Sequence, residues 1–301
     1  WWRLDRGLDE EALYYSSLIC SIDAIKAGTT SCIDHHASPS FIGGSLETIA
    51  RGMREVGLRG MTCYEVTDRN GGMEEVKAGV KENIEFAKSV DKEWQSGKKP
   101  LVEAMIGGHA PFTIPNRGLE LLKEACDTTQ RGIHLHVAED KYDSVHSHHH
   151  YHLDIMERLD SFGLLSDKSL LVHGLYLSEK EVELLNARRG FLAHNPRSNM
   201  NNHVGYCTNL REVERSILGT DGCGGNMFEE LKITDLSLRR YIEKSLAKIT
   251  AAMQLKTRTT NCIPIAVWNA WILSAPFCSI NPHICWNAPA PKIHAAPLAT
   301  P

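Results

Sequence analysis

Short apolar runs alternate with amphipathic stretches along residues 1–233, and this alternation limits the fold more than any other feature. DEEALYYSSLICSIDAIKAG predicts a helix, with acidic residues in its first turn and Gly28 at the C-cap position. TTSCIDHHAS predicts a strand running into a loop. Residues 41–56 predict a second helix ended by Gly57, and LRGMTCYEV a second strand. The charged stretch 73–90 is helical in pattern, LVEAMIGGHAPFT reads as a strand with a His-Pro loop, 116–130 as a helix and RGIHLHVAED as the next strand. Helix 152–163 leads to SLLVHG, helix 178–188 to GFLAHNPRSN, and the short segment 209–215 to SILGTDG. Each strand is followed by a crossover, which requires a parallel sheet because the chain must return to the same edge. Seven or eight such units favour a (β/α)8 barrel of the TIM type over a doubly wound α/β sheet. The first strand–helix turn also lacks the G-x-G-x-x-G of a dinucleotide fold.

In a parallel barrel the C-terminal strand ends form one rim, where active sites are built. The ends read Asp34-His35-His36, Glu65, His109, His136 with Glu139, His173, His194-Asn195 and Asp221. Imidazoles and carboxylates recur at most of these ends while the strand bodies are apolar. Such donors suit a divalent first-row metal, and a catalytic zinc keeps one position for water, whose pKa it lowers towards about 7. In GIHLHVAED, His136 falls at the rim as a ligand candidate, and Glu139 in the loop beyond can pass the water's proton to a leaving nitrogen. His173 and Asp221, on neighbouring ends, strengthen the ligand reading of His136 over that of a core histidine.

GIHLHVAED, LLVHGLYLS, FLAHNPRSN and LGTDG together resemble the successive strand-end motifs of the amidohydrolase superfamily. They are most similar to its aminohydrolase/chlorohydrolase branch, which includes guanine, cytosine and S-adenosylhomocysteine deaminases. WWRLDRGLDEE, IDHHASP, CYEVTDR, NPRSNMNNHVGY and MFEELK further resemble a subgroup of aminohydrolases associated with selenium-dependent purine metabolism. The resemblance covers about residues 1–233. It implies that His136 is the fifth-strand metal ligand and Glu139 the general acid/base of H-x-x-E. It also implies that His173 is the sixth-strand histidine, which contacts water and substrate or a metal, and that Asp221 is the eighth-strand ligand and base. His109 matches a fourth-strand histidine that faces substrate in relatives. His194 and Asn195, at the seventh strand end, are further substrate-binding candidates. Zinc or iron is the expected cofactor.

The resemblance also predicts two departures. Family members begin the barrel with a strand bearing H-x-H, and this chain starts after the point where that strand should lie. His134 and His136 have the right spacing, but three strands precede them, so His134 is expected in the barrel interior and not as a ligand. His35 and His36 are adjacent and point to opposite faces, so at most one can face the site. The expectation is a barrel fragment without its first strand, with weakened metal binding and two unpaired edges prone to association as a homo-oligomer. Residues 234–301 form an atypical tail: one amphipathic helix is compatible with its start, and the remainder follows neither period.

The other features bound the partners. The chain has 301 residues and a net charge of −4, with a pI near 6.4, which gives no reason to expect nucleic acid or an anionic membrane surface. No apolar run is long enough to span a bilayer, and nine scattered cysteines without a CxxC pair predict a reducing, cytoplasmic setting. HSHHHYH at 146–152 reads as a solvated helix face, and GGNMF as a flexible rim loop. The asparagines of SNMNN either meet substrate or cap a turn; Arg197 either pairs with an acidic substrate group or forms a surface salt bridge. Cys223, beside Asp221, is the one cysteine to probe for site reactivity. The functional expectation is a metal-dependent hydrolase of non-peptide carbon–nitrogen bonds, an aminohydrolase of a small heterocyclic substrate. The alternatives are an amidase or imidazolone-type ring hydrolase, and an inactive barrel with at most a binding role.

Overall fold

The computed structural model describes residues 2–243 and 266–268. The chain enters through α1 (Trp2–Asp5) and α2 (Glu10–Lys26), then alternates β1 (Ser31–His36), α3 (Ser45–Glu55), β2 (Arg59–Tyr64), α4 (Met73–Gln95), β3 (Val102–Ala104) and β4 (Ile106–Gly108). A 3-10 turn at Pro111–Thr113 leads to α5 (Asn116–Thr129), β5 (Ile133–Val137), α6 (Lys141–Tyr151), α7 (Ile155–Ser161) and β6 (Leu170–His173). There follow α8 (Glu179–Arg188), β7 (Phe191–His194), α9 (Pro196–Asn201), β8 (Ser216–Leu218), α10 (Met227–Glu243) and β9 (Ala266–Trp268). Among the described residues no helix is long and apolar enough to cross a membrane.

All strand pairs are parallel, in the orders β9-β1-β2-β3 and β4-β5-β6-β7-β8. Neighbours in sequence are neighbours in space, which is barrel order and not that of a doubly wound sheet. The fold is α/β with two parallel sheets, an arrangement compatible with an incomplete (β/α)8 barrel; among the described residues no pairing joins β8 to β9.

All seven expected strands are present, with one modification. The run LVEAMIGGH divides at Met105: β3 pairs with β2, and β4 with β5. A bridge between Val66 and Gly108 sews the two sheets together at the rim. Asn83 of α4, fully buried, covers the backbone groups the seam exposes. Its amide donates to the carbonyls of Tyr64 (3.0 Å) and Gly107 (3.4 Å), and its Oδ1 accepts from Tyr64 N at 2.9 Å. Gly107 is required here, since a Cβ would lie 2.4 Å from the Tyr64 carbonyl oxygen.

The helices pack one face on this wall. In α3 that face is Leu46, Ile49, Ala50 and Met53, spaced i, i+3, i+4, i+7 and all buried. Capping boxes at Asp154/Glu157 and Ser178/Glu181 start α7 and α8.

Two expectations need correction. Residues 141–151 form a helix of their own, α6, ahead of the helix expected over 152–163, and the histidine-rich run lies at its C-terminal end. The outer edge of β1 is paired by β9 from the tail, with Cys32 opposite Ala266 and Asp34 opposite Trp268. The rest of the tail, 244–265 and 269–301, lies outside the described residues.

Candidate metal centre and active site

The ends of β5, β6 and β8 bring Glu139, His173 and Asp221 to one mouth. His173 Nε2 lies 3.6 Å from Glu139 Oε2 and 3.9 Å from Asp221 Oδ2. One donor atom from each residue falls within 4.8 Å of the others. His173 is fully buried, whereas the Glu139 and Asp221 side chains are 31% and 17% exposed, so the carboxylates reach solvent and the imidazole does not. Burial alone would push the His173 pKa down, but Glu139 and Asp221 outweigh it and hold the value above the usual one.

Each member is oriented from behind. Asn199 Oδ1 accepts from His173 Nδ1 at 2.8 Å, which turns the Nε2 lone pair towards the carboxylates. Ser198 Oγ donates to Asp221 Oδ2 at 2.6 Å. The Glu139 backbone amide donates to Asp143 Oδ2 at 3.0 Å, and burial raises the Asp143 pKa to about 6. The backbone is strained at the same places. Ala138, His173 and Asp221 have φ of 47°, 73° and 48°, a left-handed conformation costing roughly 1–2 kcal/mol per non-glycine residue.

A second group adjoins the first. His35 of β1, Glu65 beyond β2 and His136 of β5 bring one donor atom each within 4.8 Å, and His35 Nε2 lies 3.6 Å from Glu65 Oε2. The ring of His136 stands 4.6 Å from that of His35 and 5.4 Å from that of His173, which links the two groups across the mouth. Burial and the neighbouring His173 push the His136 pKa down to about 4, and burial raises that of Glu65 to about 8 despite its ion pair with Arg69. Among the described residues the buried Nε2 of His35 has no hydrogen-bond partner. The imidazole nitrogens of His136 and His173 beside the carboxylates of Glu139 and Asp221 form a donor set that fits a divalent cation.

Of the expected metal ligands, His173 and Asp221 share one group with Glu139, while His136 falls in the adjoining group, its ring 5.4 Å from that of His173. His109 lies there too. Its Nδ1 meets Thr113 Oγ1 at 2.7 Å, and its Nε2 is 4.0 Å from Glu65 Oε1. His194 is buried, and burial followed by the charge of His173 lowers its pKa to about 4. Asn195 is fully buried, and among the described residues both its amide atoms are unpartnered. His134 is interior as expected. Of the adjacent pair, His35 turns inward, while His36 turns to Ser38 Oγ at 2.7 Å.

Other expectations resolve as structural. Asn199 holds His173, while Asn201 and Asn202 are exposed. Arg197 clamps α9 to α10 through Glu229 (2.6 Å) and the buried Glu230. His148 of α6 pairs with Asp154 at 2.7 Å. Cys223 is partly buried, and burial raises its thiol pKa. Sequence reasoning overlooked Asp143, which carries no motif, gave Ser198 no role although it lies within FLAHNPRSN, and left Glu65 unassigned although it stood at a strand end.

Comparison with known proteins agrees with this architecture. The profile of the amidohydrolase family matches residues 1–258. The 5-methylthioadenosine/S-adenosylhomocysteine deaminase of Pelotomaculum thermopropionicum is 32% identical over 245 residues, covering 78% of this chain and 53% of the relative. The chain spans about half the length of the curated relatives it matches. The fold is similar to a zinc-bound adenosine deaminase from Xanthomonas campestris (TM-score 0.67, 22% identity, 82% of this chain and 54% of that one). It is also similar to guanine deaminase of C. acetobutylicum with bound guanine (TM-score 0.68, 16% identity, 80% and 58%). With strands, strand-end groups and family profile in agreement over most of its length, the chain belongs to the amidohydrolase family.

Proposed function

We propose that this mouth is the active site of a zinc-dependent hydrolytic deaminase that removes an exocyclic amino group from a small heterocycle, an aminopurine nucleoside being the favoured class. The observation that carries the proposal is the convergence of Glu139, His173 and Asp221 from three separate strand ends onto one partly open point. The relatives named as deaminases of adenosine derivatives support the choice of substrate class.

His136, His173 and Asp221 would hold the cation, with His35 and Glu65 adjacent. When bound, the cation lowers the pKa of a water and so supplies a nucleophile at neutral pH. Glu139, at the solvent-facing side of the mouth, takes a proton from the attacking water and returns it to the leaving nitrogen. The C–N bond breaks, a carbonyl forms and ammonia departs. His173 would contribute its ligand atom through Nε2, because its Nδ1 proton is committed to Asn199. Asp221, oriented by Ser198, accepts a further hydrogen bond from that water. His109, at the end of the neighbouring β4, has its ring 5.6 Å from that of His136, and its Nε2 can contact the heterocycle.

The test is ammonia release by the zinc-loaded chain from a panel of adenosine, 5'-deoxyadenosine, 5-methylthioadenosine, S-adenosylhomocysteine and guanine. Release from at least one, lowered about 10²–10⁴-fold in Glu139→Gln with zinc retained, is the expected result. Zinc retention without ammonia from any of them, or equal rates in Glu139→Gln, overturns the proposal.

A further inference from the structure

One layer beneath the mouth lies a third group of donors that the proposed reaction does not use. His134 precedes His136 by two positions on β5, so both project to the barrel interior, His134 deeper. Beside it are His35 of β1 and Cys63 of β2, opposite each other in the strand register. All three are buried to 1% exposure or less. Cys63 Sγ lies 3.6 Å from His134 Nδ1 and 3.8 Å from His35 Nδ1, and one donor atom from each residue falls within 4.8 Å of the others.

These separations match a definite coordination geometry. A tetrahedral zinc with Zn–S of about 2.3 Å and Zn–N of about 2.0–2.1 Å places sulfur and nitrogen about 3.6 Å apart. A thiol hydrogen, by contrast, serves one acceptor at a time, and the Asp34 carbonyl oxygen, 3.5 Å from Cys63 Sγ, competes for it with the two imidazole nitrogens. The far sides of the rings agree. Among the described residues neither Nε2 has a hydrogen-bond partner, so no other contact sets either ring's tautomer and both Nδ1 lone pairs are free to turn to the sulfur. The Nε2 of His35 faces Glu65 Oε2 at 3.6 Å, the carboxylate–imidazole arrangement that orients ligating histidines.

We propose that Cys63, His35 and His134 form a second, buried site for a thiophilic divalent cation, zinc being the fitting ion, bound through Sγ and the two Nδ1 atoms. Binding exchanges one proton for the cation: the Cys63 S–H bond breaks, its proton leaves to solvent, a sulfur–metal bond forms, and nothing is oxidised or reduced. Thiolate and ion leave a single positive charge, beside which Asp34 supplies a carboxylate. The site ties β1, β2 and β5 together across the β3/β4 seam.

The proposal stands apart from the reading of the rim, and the experiment separates the two. Cobalt(II) alone is titrated into the whole chain under anaerobic conditions, and the near-ultraviolet thiolate-to-cobalt charge-transfer band is followed. The band is expected to saturate at one thiolate-bound ion, to be displaced by zinc, to persist in the His136→Ala/Asp221→Ala variant and to vanish in Cys63→Ser. His134→Gln, which keeps the volume, is expected to weaken the band's cobalt affinity at least tenfold with an unchanged circular dichroism spectrum. It decides the matter should Cys63→Ser not fold. No band in the folded wild-type chain, a band that survives Cys63→Ser, or unchanged affinity in His134→Gln overturns the site. Loss of the band in the His136/Asp221 variant overturns its independence from the rim.

Discussion

Asn199 Oδ1 lies 2.8 Å from His173 Nδ1, with both side chains withdrawn from solvent. An amide oxygen only accepts, so this contact fixes the Nδ1–H tautomer of His173 and aims Nε2 at Glu139 and Asp221. Asn199→Leu frees the ring to rotate and leaves a buried N–H unpaired. The expected result is a loss of about 10–100-fold in zinc affinity or in ammonia release, with the fold intact by circular dichroism. The measurement is zinc competition with a chromophoric chelator beside the steady-state rate. Wild-type values in the variant would show that Asn199 does not position His173.

Arg158 of α7 is fully buried and has no carboxylate partner in its hydrogen-bond set. It donates to the carbonyls of Pro111 (2.6 Å) and Ile114 (2.8 Å) and to Asn116 Oδ1, and its guanidinium stacks 3.5 Å above the Tyr151 ring. These contacts pin the turn that follows His109. Arg158→Met keeps the apolar volume but leaves three acceptors without their donor, at about 1–3 kcal/mol for each buried one. A fall of about 3 kcal/mol or more in unfolding free energy is expected from urea denaturation. A loss below about 1 kcal/mol would mean that water replaces the guanidinium.

His194 makes the metal-free fold sensitive to acid. Its folded pKa, depressed to about 4 by burial and by His173, lies below the unfolded value near 6.5. Below pH 6.5 the unfolded chain takes up a proton that the folded chain refuses. The stability contribution is therefore complete above about 6.5 and is lost as pH falls towards 4. Linkage gives about 2 kcal/mol from this residue between pH 7.5 and 5. Urea midpoints at the two pH values should converge by that amount in His194→Gln. The test reads the pH slope and not the absolute stability, so a packing defect in the variant does not obscure it.

The alternation of apolar and amphipathic runs was sufficient to place seven strands and to put His109, His136, His173, His194 and Asp221 at strand ends. Strand and helix periods are local, set by backbone geometry over a few residues, and survive in a single sequence. The family could be read the same way, because its motifs are short runs that span the turn from strand to loop. What could not be read was anything set by contacts across the barrel. The switch of partners at Met105 depends on Asn83 and on the close approach of Tyr64 to Gly107. That β9 would lie along β1 is absent from the local texture of the tail, which carries neither period.

The candidate site divides along the same line. Sequence alone determined which residue types stand at which strand ends, since side-chain alternation and strand length decide that within each segment. Tertiary structure decided which of them meet. It turned His35 inward and His36 away, placed His136 between His35 and His173, and put Asn199 and Ser198 behind the ligand candidates. Distances between residues on separate strands follow from the curvature and stagger of the whole sheet, a property that no single segment encodes.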